Sequence, residues 1–281
     1  MARGGGLEGA RAPAGAGISQ DDLALLVPVV SAAPLRLVVA AYNEGPNLEG
    51  LFARVEAALA GRPWRAFVVD DGSQDDTASV LARLAARLPV TPVVHPVNRG
   101  IAGVFLSGLR AALEGADADD AVAVLEGDGT SDPALLPAMH ERLLKGDVDV
   151  VVASRQVPGG AYRNFPPKRL LLSVAANALL RWVCGLPGVR DYTIFYRLYR
   201  AGPLRRALEA NGDAFVSVGG FACNAEMLLR LGPYSRGAAE VPFVYDYGLK
   251  KGASAMKVGG NLLSYARLFR IHAAAARGGA R

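Results

Sequence analysis

The sequence contains little cysteine and no long uninterrupted run of apolar residues. Its two cysteines, Cys184 and Cys223, fit no metal-ligand spacing, and a disulfide framework would need more of them. Residues 23–42 form a long, mostly apolar stretch, but two prolines and Arg36 interrupt it. We therefore expect inert thiols in a reducing compartment, no membrane span, and at most a peripheral contact with a membrane.

The chain has only a moderate excess of basic residues, with 31 Lys and Arg against 26 Asp and Glu. An excess of this size favours anionic partners without identifying one. The basic residues lack the exposed aromatic pattern and the motifs of nucleic-acid-binding proteins, so no nucleic-acid partner is expected. Hydrophobic residues make up 51% of the chain, which is enough for a sizeable globular core.

The pattern of the chain divides it into three parts. Residues 1–33 begin with a Gly/Ala-rich stretch and predict a disordered N-terminal arm, and residues 259–281 predict a C-terminal helix and tail. Between them, short β-branched segments alternate with longer segments of helical period, which predicts an α/β domain with a mostly parallel sheet flanked by helices. The expected strands are 35–42, 65–70, 90–96, 121–126 and 148–154, and the expected helices are 46–60, 74–88, 101–114 and 133–145.

Polar residues and glycines follow the first four expected strands, at the sheet edge where α/β proteins bind ligands. After the fourth strand, Glu126 and Asp128 flank Gly127. Two carboxylates at this spacing can approach a hard divalent cation whose other ligands are phosphate oxygens and water. Asp132 precedes Pro133 and is expected instead to begin the next helix.

A second acidic cluster follows the second expected strand. Asp70 and Asp71 offer acceptors for a nucleobase N–H and for ribose hydroxyls. The alternative is an ordinary polar turn, with Asp75 or Asp76 capping the next helix. The residues themselves leave both interpretations open.

The stretch 155–206 is rich in arginine and contains long apolar helical segments, with Asp191 as its only acidic residue. Such a segment can lie on an anionic membrane surface or hold an anionic acceptor. Its alternative role is an amphipathic helix that covers the sheet.

Six segments occur in the order and spacing of one known family: VVAAYNEGPNL, VVDDGSQDDT, NRGIAGVFLSGL, LEGDGTSDP, SRQVPGG and DYTIFYRLYR. Together they resemble inverting glycosyltransferases of the GT-A fold, specifically the branch of dolichyl-phosphate mannose synthase and polyprenyl-phosphate glycosyltransferases. The resemblance covers residues 35–258. It implies transfer of a sugar from a GDP- or UDP-sugar to a polyprenyl phosphate, with Mg²⁺ or Mn²⁺ as cofactor, in a cytoplasmic protein that contacts the inner face of the membrane. The alternatives are a hydroxyl acceptor or a catalytically inactive nucleotide-binding homologue.

The resemblance also implies roles for individual residues. The expected nucleotide contacts are Ala41, Tyr42, Asn43, Glu44, Asp70, Asp71, Gly100 and Gly127. The expected metal ligands are Glu126, Asp128 and Thr130, and the expected catalytic residues are Asp128, Arg155 and Asp191. The expected acceptor contacts are Arg169, Ser173 and Arg197, of which the first two lie one helical turn apart.

The acceptor side departs from the family pattern. The family motif D-x-T-S-G-F-R appears as residues 191–197 with Ile194 and Phe195 in place of Ser-Gly, and Gly248 and Ala255 occupy positions that are basic in the family. A phosphate monoester is already ionised near neutral pH and needs no strong general base. A hydroxyl acceptor would need one, and Asp191 is then the candidate, its alternative role being an ion pair with a neighbouring arginine.

Overall fold

The computed structural model describes residues 34–249 and 264–271. The expected N-terminal arm, the basic-position substitution Ala255 and most of the expected C-terminal tail lie outside these residues. Within the tail, a helix is described at 264–271, and its Leu268 is buried in the core.

A seven-stranded sheet forms the centre of the described fold. Its strands are β1 (Leu35–Ala41), β2 (Trp64–Asp70), β3 (Val90–Val94), β4 (Ala121–Glu126), β5 (Val150–Ser154), β7 (Arg197–Arg200) and β8 (Ala238–Pro242). Val, Leu and Ala side chains of the inner strands are buried on both faces, as expected of a parallel sheet covered by helices. All five strands expected from the sequence are present.

Helices connect and cover these strands. They are α1 (Gly45–Ala58), α2 (Thr77–Ala85), α3 (Gly100–Leu113), α4 (Leu136–Leu144), α5 (Pro167–Cys184), α6 (Ala201–Asn211) and α7 (Ala222–Leu231). The four expected helices are present with small differences at their ends. A 3-10 turn over Pro133–Leu135 precedes α4, and the Asp132 carboxylate accepts a hydrogen bond from the Ala134 N–H, which confirms that Asp132 begins this helical segment.

The strand order is β3-β2-β1-β4-β7-β5-β8, so the direction of chain progression reverses between β1 and β4. Such a switch point opens a crevice at the carboxyl ends of the two strands. Ala40 of β1 pairs with Glu126 of β4 at this point. Of the strands described, β7 alone runs antiparallel to its neighbours, between β4 and β5.

The position of β7 corrects the prediction that all of 155–206 faces an acceptor or a membrane. Residues 191–204 are buried, because β7 is an inner strand and the chain on both sides of it enters the core. The outward-facing part of the stretch consists of α5 and the turns on either side of it. Among the described residues, no helix combines the length and the hydropathy that crossing a bilayer requires.

A two-stranded sheet lies next to α5. It pairs β6 (Ala161–Arg163) with β9 (Val244–Asp246) in parallel. Tyr162 of β6 packs edge to face on Phe165, which in turn contacts Tyr245 and Tyr247. This aromatic group covers the carboxyl end of β5.

Candidate active site

The centre of the site is the contact between β1 and the loop after β4. The Gly127 N–H donates a hydrogen bond to the Ala40 carbonyl at 2.8 Å. A Cβ on Gly127 would lie 2.7 Å from that carbonyl oxygen, so only glycine allows the approach. The tight turn holds Glu126 and Asp128, on either side of it, at the mouth of the switch-point crevice.

Asp128 is fixed by its own loop. Its Oδ1 accepts hydrogen bonds from the Thr130 N–H at 3.0 Å and from the Thr130 hydroxyl at 2.6 Å. Arg54 of α1 donates to the Gly129 carbonyl at 2.9 Å and so ties the same loop to the helix beneath it. Thr130, which was expected to complete a metal site, therefore orients the Asp128 carboxylate.

The donor set of this loop fits a hard divalent cation held jointly with a ligand. In the part of the chain that the structure describes, no cluster of three or more His, Cys, Asp or Glu side chains could bind a metal ion without other ligands. Glu126 and Asp128 instead supply two carboxylates, which suits a cation completed by phosphate oxygens and water. Burial raises the pKa of the nearby Tyr245 well above its usual range, and the negative charges of Glu126 and Asp128 act in the same direction.

The loops after β1 and β2 are joined into one wall. Asn43 adopts a left-handed backbone conformation with φ of 56°, and its N–H donates to the Ser73 hydroxyl at 2.9 Å. Its side-chain oxygen accepts from the Gln74 N–H at 2.8 Å. The structure thus brings the expected nucleotide contacts Ala41, Tyr42, Asn43, Glu44 and Asp70 together along one edge.

The prediction that Asp71 contacts a nucleotide is corrected. Asp71 is 2% exposed, and both of its carboxylate oxygens accept hydrogen bonds from the protein. The donors are the His95 ring, the Arg99 N–H and the Gly100 N–H. The expected contact through Gly100 stays a prediction, and its N–H donates to Asp71 within the fold.

On the other side of the crevice, Arg155 follows β5 and forms a bidentate ion pair with Asp191. Arg155 Nε and Nη2 each lie 2.7 Å from a carboxylate oxygen of Asp191, and Nη2 also donates to Thr193 at 2.8 Å. Among the described residues, no hydrogen bond uses Arg155 Nη1. The guanidinium lies over the rings of Tyr162 and Tyr245, at 4.8 and 5.7 Å from their centroids.

The geometry favours the ion-pair role of Asp191 over the general-base role. Burial alone would raise the pKa of Asp191, but the charge and hydrogen bonds of Arg155 outweigh it and hold that pKa below the ordinary value. A carboxylate with a lowered pKa and no solvent exposure is a poor proton acceptor. Of the two roles that the sequence leaves open for Asp191, the structure therefore favours the ion pair, and the candidate role as a base is corrected.

The predicted acceptor contacts have different surroundings. Arg169 and Ser173 lie on the face of α5 that meets the aromatic group, where Arg169 donates to the Tyr247 hydroxyl at 2.8 Å and the Ser173 hydroxyl lies 3.0 Å from that of Tyr162. Arg197 is fully buried, and its guanidinium donates to the Asn224 and Tyr192 carbonyls. The expectation that Arg197 contacts an acceptor is wrong, because β7 places it inside the core.

Residues 37–208 match the family described as glycosyl transferase family 2. This chain belongs to that family. It is therefore a glycosyltransferase, and the site at the β1/β4 switch point is its candidate active site.

Two curated relatives are 30% identical to this family 2 chain over the aligned residues. One is the dolichol-phosphate mannosyltransferase of Pyrococcus furiosus, aligned over 236 residues that make up 82% of this chain and 61% of that protein. The other is the undecaprenyl-phosphate mannosyltransferase of Micrococcus luteus, aligned over 213 residues, 74% of this chain and 82% of that protein. The chain thus spans less than two thirds of the first relative and most of the second.

Solved structures confirm the GT-A fold. Glucosyl-3-phosphoglycerate synthase from Mycobacterium tuberculosis, in complex with Mn²⁺ and UDP-glucose, superimposes with a TM-score of 0.56 over 84% of this chain and 76% of that chain. The sequence identity is 18%, so the likeness concerns the fold alone.

The packing of the fold accommodates the residues that depart from the family motif. Ile194 and Phe195 are buried, and the Phe195 ring lies 5.3 Å from Phe105 of α3 and 5.4 Å from Phe221. These two bulky residues therefore fill the core of this family 2 domain. A Cβ added to Gly248 would lie 3.1 Å from the side chains of Asn164 and Asp246, so a larger residue would crowd this turn.

Sequence reasoning missed the aromatic group and two polar residues. Phe243, Tyr245 and Tyr247 alternate along the chain, a period-two signal for one face of an extended segment that could have indicated a shared role. Asn177 of α5 donates to Thr193 beside the Arg155–Asp191 pair, and the His95 ring after β3 bonds to Asp71. Neither residue carried a signal, since each is a single polar residue in an apolar context.

Proposed function

We propose that this glycosyltransferase moves a sugar from a nucleotide-sugar to the phosphate of a polyprenyl phosphate, with inversion at the anomeric carbon. The bond between the anomeric carbon and the donor diphosphate breaks, and its electron pair leaves with the nucleotide. A bond from an oxygen of the acceptor phosphate to the same carbon forms from the opposite face. Two curated relatives are named as transferases to lipid phosphates of this class, which supports the acceptor.

The donor end of the proposal rests on the switch-point crevice. Asp70 and the loop over residues 41–44 would hold the nucleoside, and a GDP- or UDP-sugar is the expected donor. Glu126 and Asp128 would hold Mg²⁺ or Mn²⁺ together with the diphosphate. When bound, the metal neutralises charge that develops on the departing diphosphate. The Mn²⁺ and UDP-glucose of the glucosyl-3-phosphoglycerate synthase complex support this choice of ligands.

The observation that carries the acceptor assignment is the Arg155–Asp191 pair. A hydroxyl acceptor needs a base, and the one acidic candidate of this stretch is locked by its arginine. A phosphate acceptor needs no strong base but does need cations. Arg155 Nη1 and the guanidinium of Arg169 supply them at the carboxyl end of β5 and on α5.

Helix α5 supports a peripheral position on the inner face of a membrane, where the acceptor lipid would lie. Leu171 is 71% exposed and Trp182 is 84% exposed, and Leu172, Val174 and Leu179 are exposed beside them. Lys168, Arg169 and Arg181 lie on the same helix. Exposed apolar residues with flanking cations are typical of helices that lie in the interface of an anionic membrane.

The test is a transfer assay with the purified chain in detergent. It compares a short polyprenyl phosphate with the matching polyprenol and with soluble hydroxyl acceptors, using UDP- and GDP-sugars and Mn²⁺. We expect transfer to the polyprenyl phosphate alone. Equal transfer to the polyprenol or to a soluble acceptor would refute the phosphate acceptor, while loss of all transfer would refute the activity.

A further inference from the structure

Beside the expected nucleoside site, Asp71, His95 and Ser107 form a chain of hydrogen bonds, in which Asp71 and His95 are buried and Ser107 is partly buried. His95 is 4% exposed, its Nδ1 lies 2.6 Å from Asp71 Oδ1, and its Nε2 lies 2.8 Å from the Ser107 hydroxyl. A carboxylate can only accept, so Nδ1 carries the proton. In the neutral ring, Nε2 then accepts from Ser107.

Asp71 also takes the place of a helix cap for α3. Arg99 at the N-cap position makes no side-chain capping bond, and the Arg99 and Gly100 N–H groups donate instead to the two oxygens of Asp71, at 2.9 and 2.8 Å. A negative charge at a helix N-terminus is stabilising. Asp71 therefore fixes the start of α3 from the neighbouring strand.

His95 holds a second point of the same helix. Ser107 lies seven residues after Gly100 on α3, and the His95 N–H donates to the Asp70 carbonyl at 2.9 Å. His95 thus connects three parts: the backbone of Asp70, the carboxylate of Asp71 and the second turn of α3. The loop over residues 97–100 is therefore held on both sides, at His95 and at the Arg99 and Gly100 N–H groups.

This loop borders the nucleoside side of the crevice. A Cβ on Gly72 would lie 2.8 Å from the Val97 carbonyl carbon and 2.9 Å from the Asn98 nitrogen, so the loops after β2 and β3 are in direct backbone contact. The Ser73 N–H, in the first of these loops, donates to Asp70 Oδ1 at 3.0 Å. A shift of residues 97–100 would therefore move the surroundings of Asp70.

The order Ser107–His95–Asp71 is that of a serine hydrolase triad, but this site lacks the rest of such a catalyst. Ser107 lies inside α3, where the backbone N–H groups around it are used in the helix ladder. No backbone donors are left there to stabilise an oxyanion. The chain of hydrogen bonds holds groups in place.

We propose that His95 is a positioning residue for the nucleotide-sugar donor, acting through Asp71 and the loop over residues 97–100. The proposal rests on the proposed function, in that the ligand is the nucleoside diphosphate part of the donor. His95 touches no substrate in this scheme. Its loss weakens donor binding and leaves the turnover of bound donor nearly unchanged.

The experiment compares three substitutions in the full chain, because each removes a different bond. His95→Asn keeps an N–H near the position of Nδ1 and loses the bond to Ser107. His95→Gln reaches towards Ser107 and loses the bond to Asp71. His95→Ala loses both. UDP, GDP and their sugars are titrated with Mn²⁺ by calorimetry, and the KM for the donor and kcat are measured with saturating acceptor.

For His95→Ala and His95→Gln we expect donor Kd and KM to rise about tenfold, the size expected for loss of a hydrogen bond to a charged group. His95→Asn should restore most of the affinity, and kcat should stay close to that of the wild type in all three. Unchanged donor affinity in His95→Ala, or a loss confined to kcat, would overturn the proposal.

A second measurement distinguishes failure of the proposed function from failure of the positioning role of His95. It also serves for a variant that folds too poorly for kinetic assays. Amide hydrogen exchange of residues 97–100, without nucleotide, should be faster in His95→Ala and His95→Gln than in His95→Asn. If the wild type binds no nucleotide, the proposed function fails, and with it the role in donor binding. If the wild type binds donor but exchange in this loop is the same in all variants, only the positioning role of His95 fails.

Discussion

The proposed donor and acceptor sides of this site are built in different ways. The donor side consists of short loops that directly follow β1, β2 and β4, each carrying its polar residues within a few positions of the strand end. The acceptor side assembles Arg155, Asp191, Tyr245 and α5 from segments far apart in the chain, joined by a buried ion pair and an aromatic group. A site made of local loops can be read from a sequence, whereas a site made of distant segments depends on tertiary packing.

The largest effect is expected on the proposed donor side, at Asp128, which together with Glu126 would hold the metal ion. Asp128→Asn removes charge from the loop that would face the donor diphosphate, and we expect kcat/KM for transfer to fall about a thousandfold. Initial rates at fixed Mn²⁺ measure this. Asp132→Asn is the matched control, because that residue starts a helical segment and an asparagine caps equally well. A similar loss in both variants would contradict the special role of Asp128.

The acceptor side should show its largest effect in stability. Asp191→Asn leaves the Arg155 guanidinium buried without its counter-charge, so the free energy of unfolding should fall by about 3–5 kcal/mol. Urea denaturation measures the change. The exposed Arg142–Asp147 pair provides the control, since solvent screens this pair and Asp147→Asn should leave the free energy of unfolding nearly unchanged. Equal small changes in both variants would show that the buried pair does not hold the acceptor side together.

A smaller effect is expected where α5 would meet a membrane. Trp182→Ser removes the most exposed large apolar side chain of the helix. Burial of such a side chain contributes about 1.5–3 kcal/mol, so binding to anionic phospholipid vesicles should weaken about tenfold. Vesicle sedimentation measures binding, and donor titration should be unaffected. The control is Val94→Ser, which changes an exposed residue of β3. Strand β3 is at the opposite edge of the seven-stranded sheet from β5 and β8, so this substitution should leave vesicle binding unchanged.

The smallest effect concerns acid stability. The pKa of Asp191 is lowered in the folded chain, so its pair with Arg155 contributes fully above the ordinary aspartate pKa of 3.8 and is lost as the pH falls through the folded value. Wild-type stability should therefore fall more steeply below pH 3.8 than that of Asp191→Asn. Denaturation midpoints at a series of acidic pH values measure the slopes. Parallel slopes would mean that Asp191 titrates normally.

The contrast between local loops and distant segments also explains what the sequence could and could not predict. The alternation of strands and helices, and the residues at the strand ends, are local features, so the fold was predicted correctly, as was the place of Glu126 and Asp128 at the end of β4. Asp71 was misassigned because it adjoins Asp70 in sequence, while its hydrogen-bond donors come from the loop after β3. Arg197 was misassigned because only the insertion of β7 between β4 and β5 buries it.

The most direct test of the account is a calorimetric titration of UDP- and GDP-sugars into the wild type and Asp128→Asn, each with and without Mn²⁺. The account predicts that one nucleotide-sugar binds the wild type in the presence of Mn²⁺, and that omission of the metal or the substitution removes most of this affinity. Binding that is the same in all four conditions would contradict a donor site built on Glu126 and Asp128 at the switch point of the sheet.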